Sequence, residues 1–424
     1  MKTVPIIVIY DNAAKKSFAH ADVNTVISLF GAPEFSSKGL NDWLEENGPR
    51  PSQVGLDCRV KFITFKRPFE ESINTENLLK IEDGLEFLNT PDFRLFCSER
   101  HRLYDEGKVN GTEYLGTMWG ARYLRSPDIF LDIQNRSSDK LIKLGDIVNI
   151  ETYLNTLGSD DFFFVTLEGI ESDLSKIKTR IDDSIFYIES KFITDFIESP
   201  RELKSILVKG QFKTKLFRLP KQISDTELKG YKAYEYVRFG RKKKFRTELP
   251  NQAYDGGKII MACYQGASHM VNYNPNSIVS HRFFRIAPKN QSSDEELIAL
   301  FLNSSFCSLS METFRNPSLG RGVLAHGTYT MREFVLPDLN SFSVDKKRFN
   351  GFITRDIKPV FEEIGIDESK PIREQEPNPL PDRAELDSII FDELGLTKEE
   401  RKEVYWSVCE LVKQRIDKAR SLRE

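Results

Sequence analysis

The chain has 424 residues, of which 39% are apolar and 29% are charged, and this length and composition favour two or three packed domains. Its 61 Lys and Arg residues are balanced by 64 Asp and Glu residues, so a polycation is excluded and any contact with nucleic acid must come from a local patch. No run approaches the roughly 18 apolar residues of a membrane helix, and the pattern of the first 16 residues leads us to expect no secretory signal. The 5 cysteines are scattered and form no C-x-x-C motif, so we expect a cytoplasmic protein without a zinc site or a disulfide framework.

Three strand patterns precede residue 70. VPIIVIY (4–10) predicts a buried strand, and DVNTVISLF (22–30), which is enriched in β-branched residues, predicts a second. RVKFITFKR (59–67) alternates apolar and polar residues with the period of a half-buried strand. The Gly- and Pro-rich stretch 31–56 predicts a loop around one short helix. These strands are too few for a nucleotide-binding sheet, so we expect this α/β edge to pack on another structure.

Short β-like runs return after residue 144 and predict a mostly β or α+β second region. They are LGDIVNIETY, DDFFFV, SILV, TKLFRL, KIIMACY and SIVSHRFFRIA. Residues 293–314 predict one helix, which Ser293 or Asp294 can cap.

The C-terminal part predicts a linker followed by helices. Four prolines between residues 371 and 381 mark the linker. One helix ends at Gly395, and a T-x-x-E capping box of Thr397 and Glu400 opens the last helix. The predicted fold class is therefore mixed α/β and α+β with a C-terminal helical tail.

The usual catalytic signatures are missing from the sequence. It contains no P-loop, no G-x-G-x-x-G after a strand, no H-E-x-x-H and no G-x-S-x-G, and its 5 histidines are scattered, so we predict no catalytic and no metal-binding residues. One alternative is IDDSIFYIESK, where the carboxylates of Asp183 and Glu189, accompanied by Lys191, could hold a magnesium ion and activate water for phosphodiester cleavage. The same segment also fits a strand in which polar residues alternate with Ile185 and Tyr187.

The densest positive run is RFGRKKKFR (238–246), which predicts contact with DNA phosphates. Its cations are Arg238, Arg241, Lys242, Lys243, Lys244 and Arg246, and Lys213 and Lys215 add to the local positive field. A solvated loop would show the same composition.

Two turns are candidates for contact with bases. CYQGASHMV (263–271) would display Gln265, Ser268 and His269, which can reach base edges in the major groove. In NPSLGRGVLAHGTY (316–329), glycines flank Arg321 and would permit a close approach to DNA. An ordinary β-turn and a tight turn after a helix are the structural alternatives.

Several segments together resemble class-γ adenine DNA methyltransferases of type IIG restriction-modification systems. SFAHADVNTVISLF and RVKFITFKRPFEE resemble the strand pair that closes their catalytic domain, and MWGARYLRSPDIFLDI looks like the entry into their target-recognition domain. KIIMACYQGASHM, HRFFRIAP and LGRGVLAHGTYTMREFVLPDL are similar to the TaqI-type C-terminal specificity domain. The likeness extends over almost the whole chain and rests on the order and spacing of the segments.

The resemblance implies a division of the chain into four parts. Residues 1–75 would be a remnant of the catalytic sheet, 76–144 a connecting segment, 145–340 the target-recognition domain, and 341–424 a linker with C-terminal helices. In that family a preceding catalytic half carries the S-adenosylmethionine motif and N-P-P-[YF]. Neither motif occurs here, because NPNS, NPSL and NPLP lack the second proline and the aromatic that stacks on a flipped base.

The function expected from the resemblance is sequence-specific recognition of double-stranded DNA, with methyl transfer by a separate catalytic half. This chain would then hold no cofactor, and S-adenosylmethionine would bind the missing half. Residues 265–269 and Arg321 would lie nearest the bases and 238–246 nearest the phosphates. Two alternatives remain open: a diverged methyltransferase or nuclease that acts alone, and a non-catalytic interaction protein or decayed subunit.

Overall fold

The computed structural model describes most of the chain. The ranges are 6–15, 26–30, 59–106, 108–109, 113–114, 119–152, 154–220, 223–249, 256–316, 322–339 and 344–421. The predicted loop at 31–56 and the candidate Arg321 lie outside these ranges. Within these ranges, no helix is both long enough and apolar enough to cross a membrane.

Strands and helices alternate along the described ranges, which confirms the mixed α/β and α+β class. The strands are β1 (Ile6–Asn12), β2 (Val26–Phe30), β3 (Arg59–Phe65), β4 (Leu88–Asn89), β5 (Phe93–Glu99), β6 (Lys108–Val109), β7 (Glu113–Tyr114), β8 (Leu141–Lys143), β9 (Val148–Glu151), β10 (Phe164–Glu171), β11 (Leu174–Thr179), β12 (Ile185–Glu189), β13 (Ile193–Ile197), β14 (Thr214–Phe217), β15 (Ile259–Ala262), β16 (Tyr264–Gln265), β17 (Val271–Tyr273), β18 (Val279–Ser280), β19 (Phe283–Pro288), β20 (Leu324–Ala325) and β21 (Val335–Pro337).

The helices of the described ranges are mostly short, and the last two are the longest. They are α1 (Phe69–Ser72), α2 (Thr75–Asp83), α3 (Arg100–Glu106), α4 (Asp128–Arg136), α5 (Leu144–Ile147), α6 (Asp160–Phe163), α7 (Asp225–Leu228), α8 (Ala233–Lys242), α9 (Glu295–Leu302), α10 (Ser305–Thr313), α11 (Thr328–Arg332), α12 (Asn350–Thr354), α13 (Val360–Ile364), α14 (Pro381–Glu393) and α15 (Lys398–Arg420). A π-helical segment covers Gly120–Arg125, and 3₁₀ turns cover Ser190–Phe192, Pro200–Glu202, Lys346–Phe349 and Ile372–Glu374.

The first sheet contains the three strands predicted before residue 70. Its strand order is β2-β1-β3-β5-β4, with β1 and β3 parallel and the other neighbours antiparallel. Within the described residues β2 is an edge strand, and all five of its side chains are exposed, up to 55% at Phe30. Because β2 carries Val26, Ile27, Leu29 and Phe30, this edge is apolar as well as exposed.

Two further sheets of more than two strands follow. The six-stranded sheet has the order β12-β11-β10-β14-β13-β18, and the four-stranded sheet has the order β17-β15-β19-β9. The run DDFFFV was predicted as a strand, but its first four residues form α6 and only its end enters β10. SILV contributes a single bridge, between Leu207 and Tyr273, rather than a strand.

Helix α8 packs on one face of the six-stranded sheet through aromatic contacts. The ring of Tyr236 stacks on Phe162 with centroids 4.8 Å apart and meets Phe217 edge-on. Its hydroxyl donates to the carbonyl oxygen of Phe162 at 2.7 Å. Gly240 permits this close approach, since a Cβ atom there would lie 2.3 Å from the Phe162 ring. The C-terminal end of α8 is therefore held in a fixed place on the sheet.

The largest core joins the four-stranded sheet to the C-terminal helices. Phe284 of β19, Phe301 of α9, Leu309 of α10, and Val408 and Val412 of α15 are all buried in it. Their burial places α10 and α15 side by side, which brings charged residues at the ends of both helices together.

The single helix predicted for residues 293–314 is wrong, because two helices occupy this segment. Asp294 caps α9 as predicted, accepting a hydrogen bond from the Leu297 amide at 3.0 Å. Asn303 ends that helix, and its amide side chain bonds across to the carbonyl oxygen of Val271 at 2.7 Å. Ser304 then caps α10. This tertiary bond and the second cap together break the apolar pattern into two helices.

The C-terminal predictions are largely confirmed. Thr397 and Glu400 form the capping box of α15, and Gly395 adopts a left-handed φ of 65°. The predicted proline-rich linker packs on α15, since the Trp406 indole donates to the carbonyl oxygen of Gln375 at 2.9 Å. The division into four parts stays a prediction.

Candidate nucleic-acid interface

The positive run 238–246 straddles the C-terminal end of α8. The N-terminal end of this helix is held by Glu189, whose carboxylate accepts from the backbone amides of Lys232 at 2.7 Å and Ala233 at 3.2 Å. Cations at the opposite end interact favourably with the helix dipole. The local sequence therefore places positive charge where the helix tolerates it best.

The cations of this run divide into paired and unpaired groups. Arg241 makes a bidentate bond to Asp225, with both N–O distances at 2.9 Å, and Lys243 lies 3.2 Å from Asp182. Lys215 is half-buried and paired with Asp195. The remaining cations are exposed and form no ion pair with a described residue; they are Arg238, Lys242, Lys244, Arg246 and Lys213. We call the four of these that belong to the 238–246 run the basic surface.

The two carboxylates of the nuclease alternative, Asp183 and Glu189, have structural roles instead. Glu189 caps α8, and Asp183 lies in the β11–β12 turn, 3.0 Å from the ammonium group of Lys178. Within the described ranges no group of three or more His, Cys, Asp or Glu residues is arranged to hold a metal ion.

The prediction that Gln265 and His269 project from the 263–271 turn is wrong. Gln265 is 7% exposed, and its side-chain oxygen accepts from the Met270 amide at 2.7 Å. His269 is 4% exposed, and its Nε2 lies 2.8 Å from a carboxylate oxygen of Glu312. Ser268 is half-buried. One polar atom of Gln265 and one of His269 bond inside the protein, so these two buried side chains face inward and are not available to base edges.

A buried ion cluster lies beneath this turn. Its centre is Glu312, which is fully buried at the end of α10 and contacts Arg415 at 2.7 Å, His269 at 2.8 Å and Arg315 at 3.2 Å. Burial by itself would raise the pKa of the Glu312 carboxyl, but Arg415, His269 and Arg315 hold this pKa well below its usual range. Glu312 is therefore ionised in the folded protein.

Arg415 of α15 connects the ion cluster to both candidate turns. Its guanidinium donates to the carbonyl oxygen of Gly266 at 3.1 Å and to that of Gly322. Gly322 has a φ of 71°, and a Cβ atom there would lie 2.9 Å from the Cβ of Ala419. Glycine at 322 thus serves the close packing of this turn on α15, and the neighbouring Arg321 stays a prediction outside the described residues.

Two exposed residues beside the 263–271 turn were not predicted as sites. Arg282 is exposed and has a φ of 63°, which is strained for a bulky side chain. Its carbonyl oxygen accepts from the Cys263 amide at 2.9 Å, so it lies next to Tyr264, which is 55% exposed. No local feature of the sequence predicts the unusual φ of Arg282. Tyr264 could have been named as a candidate, because it is an aromatic residue in a predicted turn.

Comparisons with known proteins give no family and a distant similarity in fold. No protein-family model matches the chain, and no curated protein sequence matches it significantly. The fold is similar to the solved structure described as the type IIG restriction endonuclease BpuSI, with 11% sequence identity and a TM-score of 0.47. The alignment covers 98% of this chain and 44% of that one, so this chain spans less than half the length of that structure. A TM-score at this level carries no argument about activity.

Proposed function

We propose that this chain is the DNA-recognition part of an adenine-specific DNA methyltransferase or restriction-modification protein. A catalytic half supplies S-adenosylmethionine and the site of methyl transfer. The observation that carries the proposal is the basic surface, where four exposed cations without described carboxylate partners lie in the last part of α8 and directly after it. Cations in this state can exchange their counterions for DNA phosphates.

Base contacts in this proposal come from Arg282 and Tyr264 rather than from Gln265 and His269. Arginine is the side chain that most often reads guanine, through a bidentate contact in the major groove. An exposed tyrosine can contact sugars and bases with its ring and its hydroxyl. Both residues lie at the 263–271 turn. Arg415 donates a hydrogen bond to the Gly266 carbonyl oxygen of this turn, which restricts its movement.

The apolar edge strand β2 supports the catalytic half in the proposal. A strand with unpaired backbone groups and exposed apolar side chains is suited to extension by a strand of another sheet. Val26, Ile27, Leu29 and Phe30 are each about half exposed, between 47% and 55%. We assign this edge to the sheet of the catalytic half.

Removing three cations of the basic surface tests the DNA contact. We expect wild-type protein to bind duplex DNA with an affinity that falls steeply with salt. In the Lys242→Ala, Lys244→Ala, Arg246→Ala triple variant, the slope of log K against log[salt] should become shallower by up to about 2.7, or about 0.9 for each lost phosphate contact. Fluorescence anisotropy with a labelled duplex at several salt concentrations measures this slope.

The matched control changes the net charge equally at exposed lysines elsewhere, with Lys347, Lys370 and Lys398 replaced by alanine. This control should retain the wild-type slope. If wild-type protein fails to bind duplex DNA at low salt, or if both triple variants lose the same slope, the proposed function is wrong.

Arg282→Ala should change sequence preference more than overall affinity. The loss of one bidentate base contact costs about 1–3 kcal/mol of discrimination at that base pair. Selection from a randomised duplex library, followed by sequencing, should show one position relaxed relative to wild type. Arg238→Ala is the matched control, because a phosphate contact carries no direct base information and its loss should weaken all sequences alike. An unchanged preference in Arg282→Ala would remove this residue from the recognition site.

A further inference from the structure

A cleft of about 570 Å³ lies between the first sheet and α15. Thr64 of β3, Lys66 and Arg94 form one wall, and Ser407 of α15 belongs to the opposite wall. Arg125 at the end of the π-helical segment also lines the cleft. Its volume falls within the roughly 300–1,000 Å³ range of small-molecule sites. The cleft contains none of the residues assigned above to DNA contact.

Arg125 is a cation without a carboxylate partner among the described residues. Its guanidinium donates only weakly, to the backbone carbonyl oxygens of Thr313 at 3.3 Å and Arg315 at 3.4 Å. Burial, together with repulsion from Arg315, lowers the pKa of Arg125 to about 9. A bound anion would compensate both effects.

Two buried polar atoms in the cleft also lack hydrogen-bond partners among the described residues. The Oγ atom of Ser407 has no hydrogen-bond partner in the described part of the chain, although the residue is only 1% exposed. The Nε atom of Arg94 is buried and similarly unsatisfied, while its Nη2 lies 3.1 Å from Asp128. Buried donors of this kind are usually satisfied by protein, water or a ligand.

The ionised residues of the cleft favour an anion. Four cations (Lys66, Arg94, Arg125 and Arg373) face three carboxylates (Asp128, Glu403 and Glu410), which leaves one excess positive charge. Arg373 is fully occupied, since it bonds to both Glu403 and Glu410 at 2.7–3.0 Å. The excess charge therefore lies on the Arg125 side, where the guanidinium fork matches a phosphate.

We propose that this cleft binds a small organic phosphate, with the phosphate between Arg125 and Arg94. The rest of the ligand lies against the apolar part of the cleft, which Leu124, Pro127 and Leu411 form. The cleft is too large for inorganic phosphate alone, so a ligand of about the size of a mononucleotide fits the volume better. This site does not depend on the proposed function of the basic surface.

Isothermal titration of the full chain tests the proposal at constant ionic strength. The probes are inorganic phosphate, adenosine monophosphate and uncharged adenosine. We expect adenosine monophosphate to bind more tightly than inorganic phosphate, and adenosine not to bind. Arg125→Gln should weaken binding of adenosine monophosphate at least tenfold, and Ser407→Ala should weaken it severalfold without loss of stability.

Arg136→Gln is the matched control. Arg136 lies on α4 outside the cleft and pairs with Glu400 at 2.6 Å, so this variant should bind the phosphate probes like wild type. The proposal is overturned if neither inorganic phosphate nor adenosine monophosphate binds at millimolar concentrations. It is also overturned if binding occurs and both Arg125→Gln and Ser407→Ala leave it unchanged. If Arg125→Gln weakens duplex DNA binding while adenosine monophosphate does not bind, the cleft holds a DNA phosphate and the small-ligand proposal is wrong.

Discussion

Replacing Glu312 by alanine should lower the free energy of unfolding by about 3–5 kcal/mol, the usual cost of removing one partner of a buried ion pair. Glu312 is fully buried and is the carboxylate that contacts both Arg415 and Arg315. Its loss would leave these guanidinium groups buried without compensation, with Arg125 nearby. Urea denaturation followed by tryptophan fluorescence measures the loss.

Glu368→Ala is the matched control for this prediction. Glu368 is exposed, so the same change in charge should alter stability by less than about 0.5 kcal/mol. Glu312→Gln keeps the shape of the side chain and should lie between the two. A loss below about 1 kcal/mol in Glu312→Ala would mean that the arginines find other partners and that the ion cluster is not central to the fold.

Stability should fall as the pH decreases below about 6.5, partly because of His326. This residue is 7% exposed, and neither ring nitrogen has a hydrogen-bond partner among the described residues. Burial lowers the pKa of His326 to about 3; Glu312 opposes this shift, while His269 and the nearby arginines add to it. Between pH 6.5 and pH 3 the histidine is protonated in the unfolded chain, where its pKa is about 6.5, but stays neutral in the folded chain. The contribution of neutral His326 is thus complete above pH 6.5 and is lost progressively toward pH 3.

The expected slope from one such proton is about 1.4 kcal/mol per pH unit below the unfolded pKa. His326→Leu should remove this pH-dependent contribution. The unfolding free energy of wild type minus that of the variant should therefore fall by about 2 kcal/mol from pH 7 to pH 5. Urea titrations at these pH values test it. Burial also lowers the pKa of His281, which stays in the variant, and the comparison therefore isolates His326. Parallel pH dependence in both proteins would contradict the prediction.

Local features of the sequence predicted the parts of the fold that depend on neighbouring residues. The capping box of Thr397 and Glu400 and the stop at Gly395 are each set within one helical turn. The alternation at 59–67 predicted the strand β3 but not its burial. Residues 62 to 65 are all buried, because β3 lies between β1 and β5 and has a core cluster on each face. The break between α9 and α10 was not predictable in this way. It depends on Asn303 bonding to Val271, which lies 32 residues away in the sequence.

The candidate site shows the same limit. The composition of the 238–246 run was enough to predict the basic surface, because so many neighbouring cations cannot all be buried. The burial of Gln265 and His269 required knowledge that Glu312 lies behind the turn, 43 residues from His269 in sequence. Likewise, the sequence does not reveal that Asp225 and Asp182 neutralise two cations of the run, since sheet and helix packing bring them together.

The bonds from Arg415 to Gly266 and Gly322 have a consequence for how this protein can diversify. Both acceptors are backbone oxygens, so the tether does not depend on which side chains the two turns carry. Substitutions at the exposed Tyr264 and the half-buried Ser268 can change what the turns touch, while the bonds that hold the turns on the last helix persist. In the proposed function, base preferences can thus change by single exchanges at this turn, without redesign of the supporting core.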